Sequence, residues 1–266
     1  MVVQSYRWNA VDYAQSSSIQ QQWARELLIK LNLRGNETLL DIGSGDGKVT
    51  AEIAHCLSNG SVIGIDNSEE MIALTKNKYP QDRFPNMSFQ QHDASRLTFI
   101  NEFDVVFSNA TLHWILNQRP VVQGIMKSLK QNGKILLQMG GRGNAADVLE
   151  EFDTFRKNNK WQVYFRDFTF PYGFYDAGEY RQWLQEAGFQ EIRAELIPKN
   201  AVHANRTAFE AWIRTTWLPY TQRVPEKERG EFIALIADGY LQRHPADEFG
   251  RVSASMMRLE VEAVKR

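Results

Sequence analysis

The chain has 266 residues, of which 43% are hydrophobic and 24% are charged, and its formal net charge is -1. These values are typical of a folded globular protein with enough apolar residues to bury a core. Because the sequence has no long basic run, we expect neither a nucleic-acid partner nor attraction to an anionic membrane. It has no apolar run of the roughly 20 residues that a membrane span needs. Its first residues do not resemble a signal peptide, so we expect a cytoplasmic location.

The N-terminal part of the sequence predicts a helix that precedes the first strand. Trp23, Leu27 and Leu31 fall on one face of this helix, and Gly35 interrupts the pattern. Residues 1–34 are therefore expected to form a helical cap over the ligand site of the sheet that follows.

The most informative stretch is Thr38–Gly47, with the sequence TLLDIGSGDG. Its apolar residues 39–42 predict a buried strand, and Gly43, Gly45 and Gly47 allow the backbone to turn tightly and approach a ligand. The next residues, KVTAEIAHCL, place apolar side chains at helical spacing. A strand, a glycine loop and a helix in this order are typical of the start of a nucleotide-binding α/β sheet.

Two acidic residues indicate which nucleotide binds. Asp41 ends the first strand, where its carboxylate would repel a pyrophosphate but suits a ligand that carries an ammonium and a sulfonium. Asp66 ends the next strand, at the distance from the loop at which a carboxylate binds a ribose diol. The third glycine also comes one residue earlier than in the G-x-G-x-x-G fingerprint of dinucleotide sites. The pattern favours S-adenosylmethionine (SAM) over NAD.

Strands and helices alternate along the chain after the second strand. Five further segments have the composition or alternation of strands: 87–90, 103–107, 134–138, 189–197 and 257–264. We therefore predict an α/β fold with a doubly wound, mostly parallel, seven-stranded Rossmann-like sheet, whose last strand forms an antiparallel edge.

A helical, aromatic-rich segment separates the last two predicted strands. We interpret residues 205–244 as a lid inserted before the final strand. The SAM-binding core then comprises residues 35–204 and 245–266, and the whole chain is one catalytic domain.

The chain resembles the class I SAM-dependent methyltransferases. Within that class it is similar to the branch that contains trans-aconitate, juvenile hormone acid and malonyl-carrier-protein methyltransferases. Three patches carry the resemblance: Trp8-Asn9 with Tyr13 and Gln20, the glycine loop with Asp66-Asn67-Ser68 and Met71, and SNATLHW at 108–114. These three enzymes methylate carboxylates, so the resemblance implies a carboxylate acceptor.

The resemblance also implies a role for each residue around the cofactor. Asp41, Gly43, Ser44 and Gly45 would surround the methionine moiety, with Asn109 beside it and Tyr13 closing over it. Asp66 would hold the ribose, with Asn67 and Met71 beside the adenosine. Asp93 would accept a hydrogen bond from the adenine amino group, next to Ala94.

Five residues are candidates for the acceptor side. His113 and Trp114 are the strongest catalytic and substrate candidates, because imidazole and indole N–H groups can both donate to a carboxylate. The resemblance places Gln20 at the substrate carboxylate. Arg142, in the glycine-rich turn after the fifth strand, is the cation that we expect at this end of the sheet, where it could bind an acidic substrate. Trp212 could line an apolar pocket, although a packed lid needs such rings as well.

The sequence offers no pattern for metal chemistry. No His, Cys and Asp cluster has the spacing of metal ligands, so we predict no metal. The single cysteine, Cys56, lies at a helical-period position, which predicts a thiol packed in the core.

These observations predict a methyltransferase that converts SAM to S-adenosylhomocysteine (SAH) and methylates a small organic acid. A carboxylate is ionised at neutral pH and needs no base, whereas an amine or a phenol must lose a proton. The alternatives are N-, C- or phenolic O-methylation with His113 as base, an NAD-dependent oxidoreductase, or a SAM-binding protein without catalysis.

Overall fold

The computed structural model of the protein describes residues 18–266, the first three of them by their backbone only. The helices within this range are α1 Ser18–Leu31, α2 Lys48–Cys56, α3 Glu69–Lys78, α4 Arg119–Ser128, α5 Ala146–Phe155, α6 Ala177–Ala187, α7 Arg206–Thr216, α8 Leu218–Thr221 and α9 Glu226–Arg243. The strands are β1 Thr38–Ile42, β2 Ser61–Asp66, β3 Met87–Gln91, β4 Phe103–Asn109, β5 Leu129–Gly140, β6 Gln190–His203 and β7 Val252–Val264. Of these helices, none combines the length and the apolar character that crossing a membrane requires.

Within the described residues, the seven strands form one sheet in the order β3-β2-β1-β4-β5-β7-β6. The pairs β1–β2, β1–β4, β2–β3 and β4–β5 are parallel, and β7 runs antiparallel to β5. The predicted doubly wound, mostly parallel sheet is therefore confirmed, and α7, α8 and α9 do precede the last strand. The antiparallel strand β7 lies one place in from the edge, because β6 pairs outside it.

Both faces of the sheet are buried, which is why the parallel strands have nearly continuous apolar sequences. On one face, Leu40 and Leu137 belong to a cluster with Ile125 of α4. On the other face, Leu39 belongs to a cluster with Ile53 of α2. Neighbouring residues of β1 thus face opposite sides, and the strand ends are held at fixed positions along one edge of the sheet.

Internal contacts divide the chain into two compact units. The sheet unit comprises Gln20–Arg142, Tyr172–Ile197 and Met257–Arg266, and the helical unit contains Gly143–Pro171 and Pro198–Met256. Helix α5 groups with α7, α8 and α9, so the helical unit draws on more of the chain than residues 205–244. The domain boundaries and the lid expected from the sequence stay predictions.

The prediction that Cys56 is packed in the core is wrong. Its side chain is exposed at the end of α2. The buried residues of this helix are Thr50, Ile53 and Ala54, and Cys56 lies outside the stripe that they form. Helical spacing alone did not distinguish the last residue of the helix from its buried face.

Candidate active site

The glycine loop follows β1 and is tied to two neighbouring strand ends. The amide of Gly43 donates to the carbonyl oxygen of Ile65 over 2.7 Å. Gly43, Gly45 and Gly47 all have positive φ, at 79°, 52° and 76°. A Cβ atom on Gly43 would lie 2.0 Å from the hydroxyl oxygen of Thr111, after β4. Glycine is therefore required at Gly43 both by the backbone angle and by the close approach of the next segment.

Asp66, the last residue of β2, binds the glycine loop directly. One carboxylate oxygen accepts from the amide of Gly45 at 3.0 Å, and the other accepts from the amide of Ser68 at 2.9 Å. Burial nevertheless raises the pKa of Asp66 above its ordinary value. Each oxygen retains acceptor capacity for a ligand hydroxyl, since a carboxylate oxygen can accept more than one hydrogen bond.

Asp41 is a buried carboxylate behind the same loop. It is 2% exposed, and its Oδ2 accepts a 2.6 Å hydrogen bond from the hydroxyl of Thr50 on α2. Burial is the main cause that raises the pKa of Asp41 to about 7; the hydrogen bond from Thr50 opposes this rise, and the negative charge of Asp66 adds to it. Two acidic groups this close favour a ligand that brings positive charge.

The buried hydroxyl of Ser44 adds an unsatisfied polar group to the loop. Its oxygen has no hydrogen-bond partner among the residues that the structure describes, although the side chain is only 7% exposed. A buried polar atom of this kind usually marks a ligand or water position. The loop, Asp41 and Asp66 thus fit a ligand with an ammonium group and hydroxyls.

Residues after β2 and β3 continue this site along the sheet edge. Met71 and Ala94 are buried at 3% and 8% exposure, whereas Asn67 is exposed. Asp93 accepts from the amide and the hydroxyl of Ser95, at 2.8 and 2.7 Å, through one carboxylate oxygen. The carboxyl ends of parallel strands lie at one edge, so these residues extend the same line as the glycine loop.

The segment after β4 lies against the glycine loop. Asn109 ends the strand, and Ala110 has φ of 57°, in the left-handed region. The hydroxyl of Thr111 lies 3.3 Å from the carbonyl oxygen of Gly43 and 3.2 Å from that of Asn109. An alanine in this conformation is strained, and such strain is common where a backbone is shaped for a site.

His113 is buried in the short turn of residues 112–114, at 8% exposure. Its Nδ1 lies 3.3 Å from the amide nitrogen of Gly140, which donates to it, so we assign the ring proton to Nε2. Burial, and secondarily the positive charge of Arg258, lower the pKa of His113 well below 6.5. The ring is therefore a neutral hydrogen-bond donor through Nε2 and a poor base at neutral pH. Its neighbour Trp114 is half-buried and packs edge-on against Tyr172 at 5.0 Å.

Gln118 is a positioning residue that the sequence did not reveal. It is fully buried, and its amide nitrogen donates to the carbonyl oxygens of Leu112 and Gly173 at 2.8 and 3.1 Å. The hydroxyl of Tyr180 donates to its side-chain oxygen. Gln118 thus joins the turn that carries His113 to the segment beside it. A lone glutamine two residues before a proline carries no signal of such a role.

Two predicted substrate residues have other partners in the structure. Arg142 is 61% exposed and forms ion pairs with Glu179 at 2.7 Å and Asp176 at 3.2 Å. Trp212 is 3% exposed within the helical unit, where its ring lies 5.0 Å from that of His203. Their roles in binding substrate stay predictions.

Two further predicted residues lie at the limit of the described chain. Tyr13 is outside the described residues, and Gln20 is described only as part of the backbone of α1. Their roles stay predictions. No group of three metal-ligating side chains is found in the part of the chain that the structure describes.

We expected Arg142 to be the one cation at this end of the sheet. That expectation was wrong, because Arg258 of β7 also lies there. Arg258 of β7 pairs in antiparallel register with Gly140 and is 3% exposed. Its guanidinium carbon lies 5.3 Å from the centre of the Trp23 ring. The alternation in residues 257–264 put charged residues at every second position, which could have drawn attention to a polar face.

Comparison with known proteins places this site in context. A family profile described as "Methyltransferase domain" matches residues 33–188, which contain the glycine loop, Asp66, Asp93 and His113. An uncharacterized methyltransferase of Schizosaccharomyces pombe is 32% identical over 200 residues, covering 72% of this chain and 74% of the relative. A trans-aconitate 2-methyltransferase of Rhizobium etli is 25% identical over 270 residues, covering 97% and 99%.

A shorter sequence match and a match to a solved structure are also to proteins named methyltransferases. A malonyl-[acyl-carrier protein] O-methyltransferase of Bacillus cytotoxicus is 28% identical over 148 residues, covering 54% of this chain and 51% of the relative. The solved structure of Haemonchus contortus phosphoethanolamine N-methyltransferase 2, in complex with phosphomonomethylethanolamine and SAH, matches with a TM-score of 0.64 at 16% identity. It covers 96% of this chain and 57% of that one, and at this identity the likeness concerns the fold alone.

Proposed function

The chain belongs to the methyltransferase-domain family and is a SAM-dependent methyltransferase, and we propose that it transfers the methyl group to a carboxylate oxygen of a small organic acid. Two relatives whose names specify carboxyl-bearing substrates support this acceptor class, trans-aconitate 2-methyltransferase and malonyl-[acyl-carrier protein] O-methyltransferase. Membership of the family sets aside the NAD-dependent oxidoreductase and the non-catalytic protein that the sequence left open.

The cofactor site proposed here is the line of strand ends from β1 to β4. Asp41 and the buried Ser44 hydroxyl suit the ammonium and carboxylate of the methionine moiety, next to Asn109. Asp66 suits the ribose diol because both its oxygens are already oriented by backbone amides. Further along the edge, Asp93 suits the adenine amino group.

The observation that carries the acceptor proposal is the state of His113. SAM supplies a methyl whose bond to sulfur breaks as the bond to the acceptor oxygen forms, the electron pair returning to sulfur to leave SAH and a methyl ester. This exchange is balanced without any proton transfer. His113 is neutral, buried and bound through Nδ1 to the amide of Gly140, so it is arranged to donate from Nε2 and not to accept a proton.

Methylation of an amine or a phenol would require His113 to accept a proton. A protonated amine or a phenol has to lose a proton before or during methyl transfer, and a base with a pKa well below 6.5 is poorly suited to take it. A carboxylate arrives ionised and requires only alignment with the sulfonium and exclusion of water.

The acceptor class can be tested with labelled SAM. The purified protein is incubated with methyl-labelled SAM and panels of straight-chain acids, aromatic acids, amines and phenols. We expect label only with acids, in a product that releases methanol in mild alkali, as methyl esters do. Asp66→Ala, which should bind SAM more weakly, serves as the control for dependence on the donor and should incorporate less label at limiting SAM. Alkali-stable label, or label confined to amines or phenols, would contradict carboxyl methylation.

Some residues are given roles in the proposal that no described contact tests. We also propose that Tyr13 closes over the cofactor, that residues 205–244 form a lid, and that the acceptor side includes Gln20, Arg142 and Trp212. Alanine variants of the acceptor-side residues should raise the KM for the acid while leaving the Kd for SAM unchanged. A cytoplasmic location also stays a prediction.

A further inference from the structure

The most unusual charged group in the sheet unit is the guanidinium of Arg258. A fully ionised side chain at 3% exposure is rare, because an arginine cannot lose its proton to escape the cost of burial. The residue lies in β7 directly opposite Gly140, the last residue of β5. Since β5 runs parallel to β4, Arg258 is at the carboxyl edge of the sheet, with the glycine loop and Asn109.

The register of β7 explains which side of the sheet the guanidinium occupies. Leu259 and Val261 face the apolar cluster that includes Ile125 of α4. Residues 258 and 260 therefore face the opposite side, where the guanidinium of Arg258 lies over the ring of Trp23 on α1. This ring contact uses the face of the guanidinium plane, whereas bidentate recognition of a carboxylate uses its edge, so the two are compatible.

The positive charge of Arg258 acts on His113, which we propose lies on the acceptor side of the site. Gly140, its partner in the ladder, donates its amide to Nδ1 of His113 over 3.3 Å. The positive charge of Arg258 is one of the two causes that lower the pKa of His113. An arginine and a neutral N–H donor thus lie together next to the segment that contacts the glycine loop.

Glu260, two residues along on the same face of β7, is held by donors from other parts of the chain. Glu260 is 1% exposed, and its carboxylate accepts from Lys30 at 2.5 Å, from Arg193 at 2.5 Å and from Gln138 at 2.9 Å. These three donors account for the burial of the Glu260 carboxylate.

We infer that Arg258 binds the carboxylate of the acceptor and makes the enzyme selective for anionic acceptors. The inference rests on the proposed function, because it assigns recognition of the same carboxylate that is methylated. In this arrangement Arg258 contributes the charge and Nε2–H of His113 contributes a neutral hydrogen bond. A fixed positive charge also disfavours ammonium-bearing acceptors in the same place.

Direct binding measurements test this inference independently of turnover. Calorimetry on SAH-saturated protein compares octanoate, phenylacetate and succinate with their uncharged amides. The wild-type protein should bind at least one acid about tenfold more tightly than its amide, and Arg258→Met should remove that preference. Arg258→Lys, which keeps the charge but not the planar fork, should restore part of it.

The controls separate recognition from packing. Arg193→Met removes another arginine from the same sheet and should lower the melting temperature through Glu260 without changing the acid-to-amide preference. The Kd for SAM should be the same in wild type and Arg258→Met. Equal loss of affinity for acid, amide and SAM in Arg258→Met would reduce Arg258 to a packing residue and overturn the inference.

Two other outcomes are also decisive. If no acid of the panel is preferred over its amide by the wild-type protein, the inference is wrong. If acids bind with the Arg258-dependent preference but label from SAM appears only on amines or phenols, the inference stands as a binding site and the proposed function fails.

Discussion

The hydroxyl of Thr50 donates a 2.6 Å hydrogen bond to the carboxylate of Asp41, and both side chains are buried between β1 and α2. This bond lowers the pKa of Asp41, but burial and the charge of Asp66 outweigh it, so that the carboxyl titrates at about 7. The group proposed to meet the ammonium of SAM is therefore partly protonated at neutral pH before the ligand binds.

The first prediction is that SAM binding is linked to a proton. An ammonium beside Asp41 favours its ionised form, so binding below pH 7 must release the proton that Asp41 carries. The affinity for SAM should therefore weaken as the pH falls below about 7. Calorimetry in buffers of different ionisation enthalpy should detect close to one proton released at pH 6. Asp41→Asn should bind more weakly and lose the dependence; a wild-type affinity that is flat from pH 5.5 to 8 would contradict this account.

The second prediction concerns Asp66. Asp66→Ala should weaken SAM binding by about tenfold to a hundredfold, the usual cost of losing a charged hydrogen-bond partner. The loss has two sources, the ribose contact and the support of the Gly45 amide. Asp104→Ala is the matched control, because Asp104 also accepts a backbone amide, from Thr38, but at the other end of β1. That variant should lower stability and leave the Kd for SAM unchanged. Equal effects of both variants would mean that Asp66 acts only through the fold.

The third prediction is the protonation state of His113. Nuclear magnetic resonance of protein with labelled histidine should show a neutral ring at pH 7 with the proton on Nε2 and a titration midpoint well below 6.5. The reason is burial, which holds the pKa of His113 well below 6.5, together with the amide of Gly140 at Nδ1. Loss of the signal in His113→Gln identifies it. A midpoint near 6.5 would restore His113 as a candidate base and favour amine or phenol acceptors.

The fourth prediction concerns Gln118. Gln118→Leu should lower the free energy of unfolding by about 2–4 kcal/mol, because it leaves the buried carbonyl groups of Leu112 and Gly173 without their donor. It should also raise the KM for the acceptor more than the Kd for SAM, since the turn that carries His113 loosens. Gln123→Leu, on the exposed side of α4, is the control and should change stability little. Denaturant unfolding with paired kinetics gives both values, and an unchanged KM would confine Gln118 to a purely structural role.

Much of the donor side could be predicted from the sequence because its determinants are local. Alternating and helical apolar patterns located the seven strands, and the spacing of Gly43, Gly45 and Gly47 after a buried strand predicted the loop. Asp41 and Asp66 follow from their positions at strand ends. The same local reasoning failed for Cys56, because a position near the end of a helix can leave the buried stripe without changing the pattern.

The acceptor side depends on contacts between distant parts of the chain. Gln118 meets Gly173, 55 residues away, and Glu260 meets Lys30, 230 residues away. No window of sequence contains both members of such a pair, so neither the turn around His113 nor the burial of Glu260 could be foreseen.

The sequence by itself thus determined the fold class, the methyl donor and the loop that receives it. The reason is that the strand, the glycine turn and the helix are contiguous, and each is specified by the pattern of neighbouring residues. Only the tertiary structure decided the chemistry next to that loop. Pairing of β7 with β5 buried Arg258 opposite Gly140, and burial of the turn after β4 made His113 a neutral donor. Burial and cross-strand register are properties of the whole sheet, and the charge states of both residues follow from them.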